Sequence, residues 1–289
     1  MSLKTRAATG LVFGAVMIGA TVASPISCAV LFIIIGICCL WEYTDITNRG
    51  DVSSPNMAFI RKILTVILGI SPALITIGLI ENIISWENVK AQLPLLLPIL
   101  FGLFVFELFS KAEKPFDQIG RLLVAILYIG IPIALVEMLT LAQATFGRYL
   151  VMAMLLIVWA SDSFAYLGGS KIGKTPFFKR ISPKKTWEGI ACGVIGALVF
   201  GYICSLIFTQ VEYNLGSWLV IAVVGCVFGI LGDLVESMLK RSLGIKDSGT
   251  ILPGHGGFLD RFDAFLLLVP FVVFTILYIL NDTRFTSWL

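Results

Sequence analysis

The sequence predicts an all-α integral membrane protein of about nine transmembrane helices, with its N-terminus cytoplasmic and its C-terminus on the outer side. Three observations predict it. Hydrophobic residues fill 58% of 289 positions and charged residues only 13%, against about 25% charged in ordinary globular chains. Mean hydropathy is +0.96, and apolar surface on this scale stays out of water only inside lipid. Apolar runs of spanning length recur along the chain, and the lysines and arginines between them fall on one side. On that composition secreted, disordered and nucleic-acid-binding classes are set aside, and a net charge of +3 is too small by itself to argue for a polyanionic partner.

A spanning helix needs about 20 mostly apolar residues. In order, the candidates are 7–23, 26–42, 63–80, 93–110, 121–139, 149–167, 189–208, 217–236 and 263–280. The first follows Lys4 and Arg6 and ends at Ala23-Ser24, as a signal peptide would. It exceeds the apolar core of about 7–15 residues typical of such leaders, and a second span follows at once, so it is read as a helix. The second to fifth are joined by short, unremarkable loops, and they complete an N-terminal region, 1–148, of about five spans. The sixth carries Asp162 close to its end; the seventh follows a basic, glycine-containing stretch; the eighth runs into a charged segment; the ninth opens on a pair of aspartates. These four spans form the C-terminal region, 149–289, whose charged cytoplasmic loops mark it as catalytic. Alternating the loops from a cytoplasmic N-terminus puts 18 of the 21 lysines and arginines inside and leaves Lys90, Arg148 and Arg284 outside. Cytoplasmic loops carry that excess, so the bias supports both the count and the orientation.

Six cysteines, Cys28, Cys38, Cys39, Cys192, Cys204 and Cys226, lie in apolar runs with no CxxC or Cys/His metal spacing. They read as small core residues.

An ionisable residue at membrane depth is expensive unless paired or hydrated, which makes Asp162, in Trp159-Ala-Ser-Asp-Ser-Phe-Ala-Tyr166, a functional candidate. The alternative is a structural acid paired with a neighbouring loop. Between Gly168 and Glu188 lie three glycines, six cations and the string Ser182-Pro-Lys-Lys-Thr-Trp-Glu-Gly189, which contains Lys184 and Lys185. Glycines let backbone amides approach an anion and lysines add mobile charge, so the composition suits phosphates. Contact with anionic lipid headgroups explains the lysines equally well, but not the glycines. No Walker spacing occurs.

The densest constellation runs from Asp233 to Asp263. Asp233, Glu236, Ser237 and Lys240 stand at i, i+3, i+4 and i+7 and so share one helical face. Lys240-Arg241, Lys246-Asp247, Pro253-Gly-His-Gly-Gly257 and Asp260-Arg-Phe-Asp263 follow. Taken singly, Asp260 and Asp263 are ordinary N-terminal caps and Glu236 with Lys240 an i, i+4 pair. Taken together, they assemble carboxylates, cations and a glycine turn at the mouth of two helices. Hard carboxylate oxygens suit Mg2+, and Mg2+ with Lys and Arg suits a polyphosphate. His255 hydrogen-bonds a phosphate or a carboxylate, or shapes the loop; no second histidine exists for a metal pair.

Ser237-Met-Leu-Lys240-Arg241, Lys246-Asp247-Ser-Gly249, Leu252-Pro253-Gly-His255-Gly-Gly257 and Asp260-Arg261-Phe-Asp263 together span about 27 residues. This pattern resembles that of phosphatidate cytidylyltransferases, also called CDP-diacylglycerol synthases. Asp162-Ser-Phe-Ala-Tyr166 and Ser182-Pro-Lys-Lys-Thr-Trp-Glu-Gly189 resemble the same family, while the N-terminal half does so by topology alone. The resemblance implies transfer of CMP from CTP to phosphatidic acid, giving CDP-diacylglycerol and pyrophosphate for phospholipid synthesis. It implies a magnesium-dependent nucleotidyltransferase of the bacterial cytoplasmic membrane with its site facing the cytoplasm, a second cation and a homodimer being left open. Asp233 and Asp260 are the implied metal ligands, with Asp263 a further ligand or the group orienting one. Lys240, Arg241, Lys246 and Arg261 are expected on the triphosphate or lipid phosphate, and Lys184 and Lys185 over the nucleotide. Ser182 and His255 fall on the substrate side, and Asp162 completes the polar cavity. An ion-coupled transporter would place charges near the midplane rather than at helix ends. A CDP-alcohol phosphotransferase would carry Asp-Gly-x-x-Ala-Arg, which is absent.

Overall fold

The computed structural model describes residues 3–49, 54–110, 112–249 and 256–285, with side chains from residue 9 onward. Helix α1 (Leu3–Ala23) and helix α2 (Pro25–Thr47) are separated by Ser24 alone. Ser24 Oγ accepts from Ser27 N and Ser27 Oγ accepts from Ser24 N, a reciprocal cap. Pro25 takes the first helical position, where its missing N–H leaves nothing unpaired.

Helices α3 (Pro55–Ile80) and α4 (Trp86–Ser110) follow, and α4 packs on the next helix rather than along α3. Arg61 meets Glu107 through two bonds of 2.7 and 2.9 Å, both side chains buried, so these two charges neutralise each other inside the protein. Most of α4 presents Leu96, Phe101, Phe104 and Leu108 outward, the surface of a helix facing lipid. Helix α5 (Pro115–Ala125) passes through a π turn, Ile126–Gly130, into α6 (Ile131–Ala142). Pro132, just past this turn at the start of α6, has no N–H for the carbonyl four residues back, and the helix widens there instead of ending.

Helix α7 (Gly147–Ile172) is central, buried almost continuously from Leu150 to Ser161. Strands β1 (Pro176–Phe178) and β2 (Ser182–Thr186) then form an antiparallel hairpin, which corrects the expectation of a purely α chain. Its base is tied locally: the Glu188 carboxylate accepts from Lys174 N and Thr175 N at 3.1 Å, and Phe177 packs edge-on against Trp187 at 4.6 Å between ring centres. Helices α8 (Trp187–Ile207), α9 (Leu215–Ser242) and α10 (Leu259–Phe274) complete the bundle, α10 running on through a π turn to Ile279. Thr186 and Asn214 cap α8 and α9 through their side-chain oxygens.

Among the described residues eight helices are long and apolar enough to cross a membrane, and α1 adds a shorter apolar stretch, Thr9–Ala23. The chain is thus an integral membrane protein by length and composition of its helices. One end of the bundle gathers the C-termini of α2, α7 and α9, the hairpin and the start of α10.

The other end is latched by the C-terminal segment. Tyr213 donates to Asp282 Oδ2 at 2.6 Å, Arg284 holds both Asp282 oxygens at 2.8 Å, and Gln143 donates to Arg284 O at 2.5 Å. Burial draws the Asp282 carboxyl upward, but the bonds from Arg284 and Tyr213 outweigh it and hold its pKa below the usual aspartate value. A depressed folded-state pKa contributes stability that is present above the unfolded value of about 3.9 and is lost as pH falls through the folded one. Asp282→Asn should therefore cost about 1–2 kcal/mol of stability at pH 7. Thermal melts should show that offset shrinking in acid; an equal offset at both pH values would separate the latch from its charge.

Candidate active site

The site is built on α9 and α10, which touch closely where a side chain at Gly232 would meet the Asp263 carbonyl at 2.6 Å. Helix α9 runs to Ser242, beyond the expected end at 236, so Asp233 is an interior helical residue and not the terminus of its span. The polar face explains the extension: Glu236 and Lys240 are both buried, and the helix keeps winding while they have partners on α10. Lys240 Nζ bridges Glu236 Oε2 and Asp260 Oδ1, the latter at 2.6 Å. Asp260 Oδ2 in turn accepts from Ser248 N at 2.9 Å and Gly257 N at 3.0 Å, folding the α9–α10 loop onto the start of α10. Gly256 permits this with φ +84°, a backbone region that a larger side chain enters at a cost, and a Cβ there would meet Asp260 Oδ2 at 2.8 Å.

The hairpin supplies the other wall. Lys185, on β2, reaches α9, where its Nζ lies 2.5 Å from Asp233 Oδ2 and 3.4 Å from the Ile230 carbonyl. Ser237 Oγ donates to Asp233 Oδ1 at 3.3 Å. A cavity of about 450 Å³ opens between α7, the hairpin and α9, lined by Asp162, Gly169, Lys184, Lys185 and Asp233. A second cavity of about 280 Å³ adjoins it, lined by Asp162, Asp260, Arg261 and Asp263 over Phe13 and Trp159. Asp162 belongs to both walls.

Of the residues singled out in the sequence, the fold brings Asp162, Lys184, Lys185, Asp233, Lys240, Asp260, Arg261 and Asp263 to one end of the bundle. Arg241 is exposed and donates to the Ile245 carbonyl at 3.0 Å, tying the end of α9 rather than lining either cavity. Lys246 is exposed and Ser182 opens β2; neither lines these cavities. His255 lies outside the described residues.

Two carboxylates take parts that the sequence did not assign to them. Glu236, fully buried, holds Lys240 with Oε2, and its Oε1 has no hydrogen-bond partner among the described residues. Glu42, near the end of α2, accepts from Leu259 N at 2.9 Å. A signal for Glu42 does exist: an acid within a predicted apolar span is costly there by the argument that marks Asp162.

The donor chemistry fits a hard cation. Five carboxylates, Asp162, Asp233, Glu236, Asp260 and Asp263, face Lys184, Lys185, Lys240 and Arg261, and one buried oxygen, Glu236 Oε1, is unpaired. Among the described residues no three acids, histidines or cysteines converge into a ready-made cage, because lysines stand between the carboxylates.

The chain matches the cytidylyltransferase family over residues 4–279. A phosphatidate cytidylyltransferase of Bacillus subtilis (strain 168) is 33% identical over 275 residues, 95% of this chain and 97% of that protein. Enzymes of the same name from Staphylococcus haemolyticus (strain JCSC1435) and Staphylococcus aureus (strain COL) are 39% and 38% identical, each over 68% of this chain and 74% of theirs.

Proposed function

The chain belongs to the cytidylyltransferase family, and on that premise we propose that its paired cavities transfer CMP from CTP to phosphatidic acid, releasing CDP-diacylglycerol and pyrophosphate. The observation that carries this reading is Asp162, standing in the shared wall of two cation-lined cavities, one for each phosphate-bearing substrate. An oxygen of the lipid phosphate attacks the α-phosphorus of CTP; the new P–O bond forms as the bond to pyrophosphate breaks. The nucleophile is already an anion at neutral pH, so no strong base is needed, and the barrier falls by charge neutralisation and alignment. That agrees with a site rich in lysine and carboxylate.

Lys184 and Lys185 are read as the clamp on the nucleotide phosphates, with Lys185 exchanging Asp233 for phosphate. Lys240 and Arg261 balance charge around the reacting phosphates, while Arg241, Lys246 and Ser182 keep supporting places at the rim and His255 keeps the substrate-side role that the resemblance implies. Asp233 and Asp260 would hold Mg2+, with Asp263 beside them. Bound there, the ion would neutralise phosphate oxygens. The direct experiment is formation of labelled CDP-diacylglycerol by the purified protein from CTP and phosphatidic acid, with and without Mg2+; no product under either condition would sink the reading.

Lys185→Ala should weaken apparent CTP affinity by about 10–100-fold, the loss of one charge-assisted phosphate contact, and leave dependence on phosphatidic acid near that of the parent. Unchanged kinetics for both substrates would return the hairpin to lipid-headgroup contact.

We further place the site at the cytoplasmic face of a bacterial inner membrane, in a chain of nine spans with α1 as the first. Support comes from the 18 to 3 distribution of lysine and arginine. Asn82→Cys should react with an impermeant thiol reagent from outside, and Lys179→Cys only after permeabilisation. The reverse pattern would turn the site away from cytosolic CTP.

A further inference from the structure

Helix α10 carries Asp260 and Asp263, yet its N-terminus has no cap of its own. Phe258 occupies the cap position in helical conformation and offers no side-chain acceptor. The acceptor comes from 217 positions upstream, where the buried Glu42 of α2 takes the Leu259 N–H at 2.9 Å. A carboxylate there also lies at the positive end of the helix. Ser248 is shared between two acids, its N–H going to Asp260 Oδ2 at 2.9 Å and its hydroxyl to Glu42 Oε2 at 3.5 Å. The loop accommodates Glu42 through glycine: a Cβ at Gly249 would meet Glu42 Oε1 at 2.5 Å, and one at Gly257 would overlap Glu42 Oε2.

We propose that Glu42 is a positioning residue for the reaction, which fixes the first turn of α10 and so the direction in which Asp260 meets Lys240. The proposal rests on reading Asp260 as a carboxylate of the reacting centre. Glu42 lines neither cavity and acts through Leu259, Ser248 and the loop. A tilt of the first turn of α10 would move Asp260 and Asp263 together, and small misplacements of reacting groups are enough to slow chemistry without weakening binding.

The test is steady-state kinetics of purified, detergent-solubilised full-length variants. Glu42→Ala should lower kcat by about 10–100-fold with KM for CTP and for phosphatidic acid within about twofold of wild type. Glu42→Gln should recover most of that loss, since an amide oxygen still accepts from Leu259 N. Gly249→Ala places a methyl group against the carboxylate and should lower kcat in the same way. In the double variant the two losses should not add, because both close contacts of the methyl group are with the Glu42 carboxylate and only an ordinary 3.4 Å contact with Gly257 Cα is left once Glu42 is gone. Wild-type kcat in Glu42→Ala, a change confined to KM, or additive losses would each overturn the proposal. Should Glu42→Ala not fold, Gly249→Ala alone decides, and wild-type turnover there overturns it. A wild-type protein that makes no CDP-diacylglycerol would instead sink the underlying reading, whereas an active wild type matched by Glu42→Ala sinks only the role of Glu42.

Discussion

Asp260→Asn should lose turnover by at least about 100-fold, because the substitution removes an acceptor the loop requires and, on the proposed metal-holding role, a charge worth several kcal/mol to a hard cation. Both oxygens of Asp260 are in use: Oδ1 faces the Lys240 ammonium at 2.6 Å, and Oδ2 accepts from Ser248 N and Gly257 N. An asparagine amide carries one acceptor and one donor, so one end of it would point N–H groups at another donor. Either rotamer breaks half of the arrangement. A cap role alone predicts the opposite, since Asn caps helices about as well as Asp. Purified Asp260→Asn that elutes as wild type from size exclusion, yet turns over substantially at the wild-type Mg2+ requirement, would remove Asp260 from the essential groups. Asp233→Asn should behave similarly. It would break the 2.5 Å pair with Lys185, which is more exposed than the Lys240 pair, so stability should fall less.

Lys240→Met should lose both stability and turnover. Removing one partner of a buried ion pair leaves uncompensated charge, at a cost of about 3–5 kcal/mol. Here two carboxylates are stranded, Glu236 fully buried and Asp260 nearly so. Stability and chemistry can be separated by a second change. Lys240→Met with Glu236→Gln removes the buried charge that had no partner, and its thermal midpoint should climb back toward wild type. Turnover should stay low, because the cation facing Asp260 is still missing. Recovery of turnover along with stability would make Lys240 a purely structural counter-ion to Glu236. Failure of the midpoint to recover would instead place the cost of losing Lys240 at Asp260.

The face of α9 was legible from spacing alone. Asp233, Glu236, Ser237 and Lys240 repeat at helical intervals, and backbone hydrogen bonds make that periodicity a local property that no tertiary contact needs to supply. The partner of each residue was not legible in the same way. Glu236 and Lys240 read as an ordinary surface pair until α10 covers them, and burial turns that pair into the centre of an ion network. Lys185 reads as a phosphate clamp, while in the folded chain its ammonium rests on Asp233. A flexible lysine reaches any anion within its stem's length, so its sequence context names the charge and not the recipient.

What the sequence determined by itself was therefore the class of molecule, the approximate place of the apolar helices, the end of the bundle that holds the charge, and the reaction family carried by the motif from Ser237 to Asp263. Those follow from hydropathy and from short-range spacing, both written along the chain. Tertiary structure alone decided that the basic segment closes as a hairpin, that α9 extends to Ser242, that Asp162 stands between two cavities, and that Glu42 caps α10 from the other half of the protein. The physical reason is the same for all four. A charge withdrawn from water must find a partner wherever packing happens to offer one, and in a bundle of apolar helices that partner is chosen by which helix ends meet, a property of the whole chain rather than of any segment.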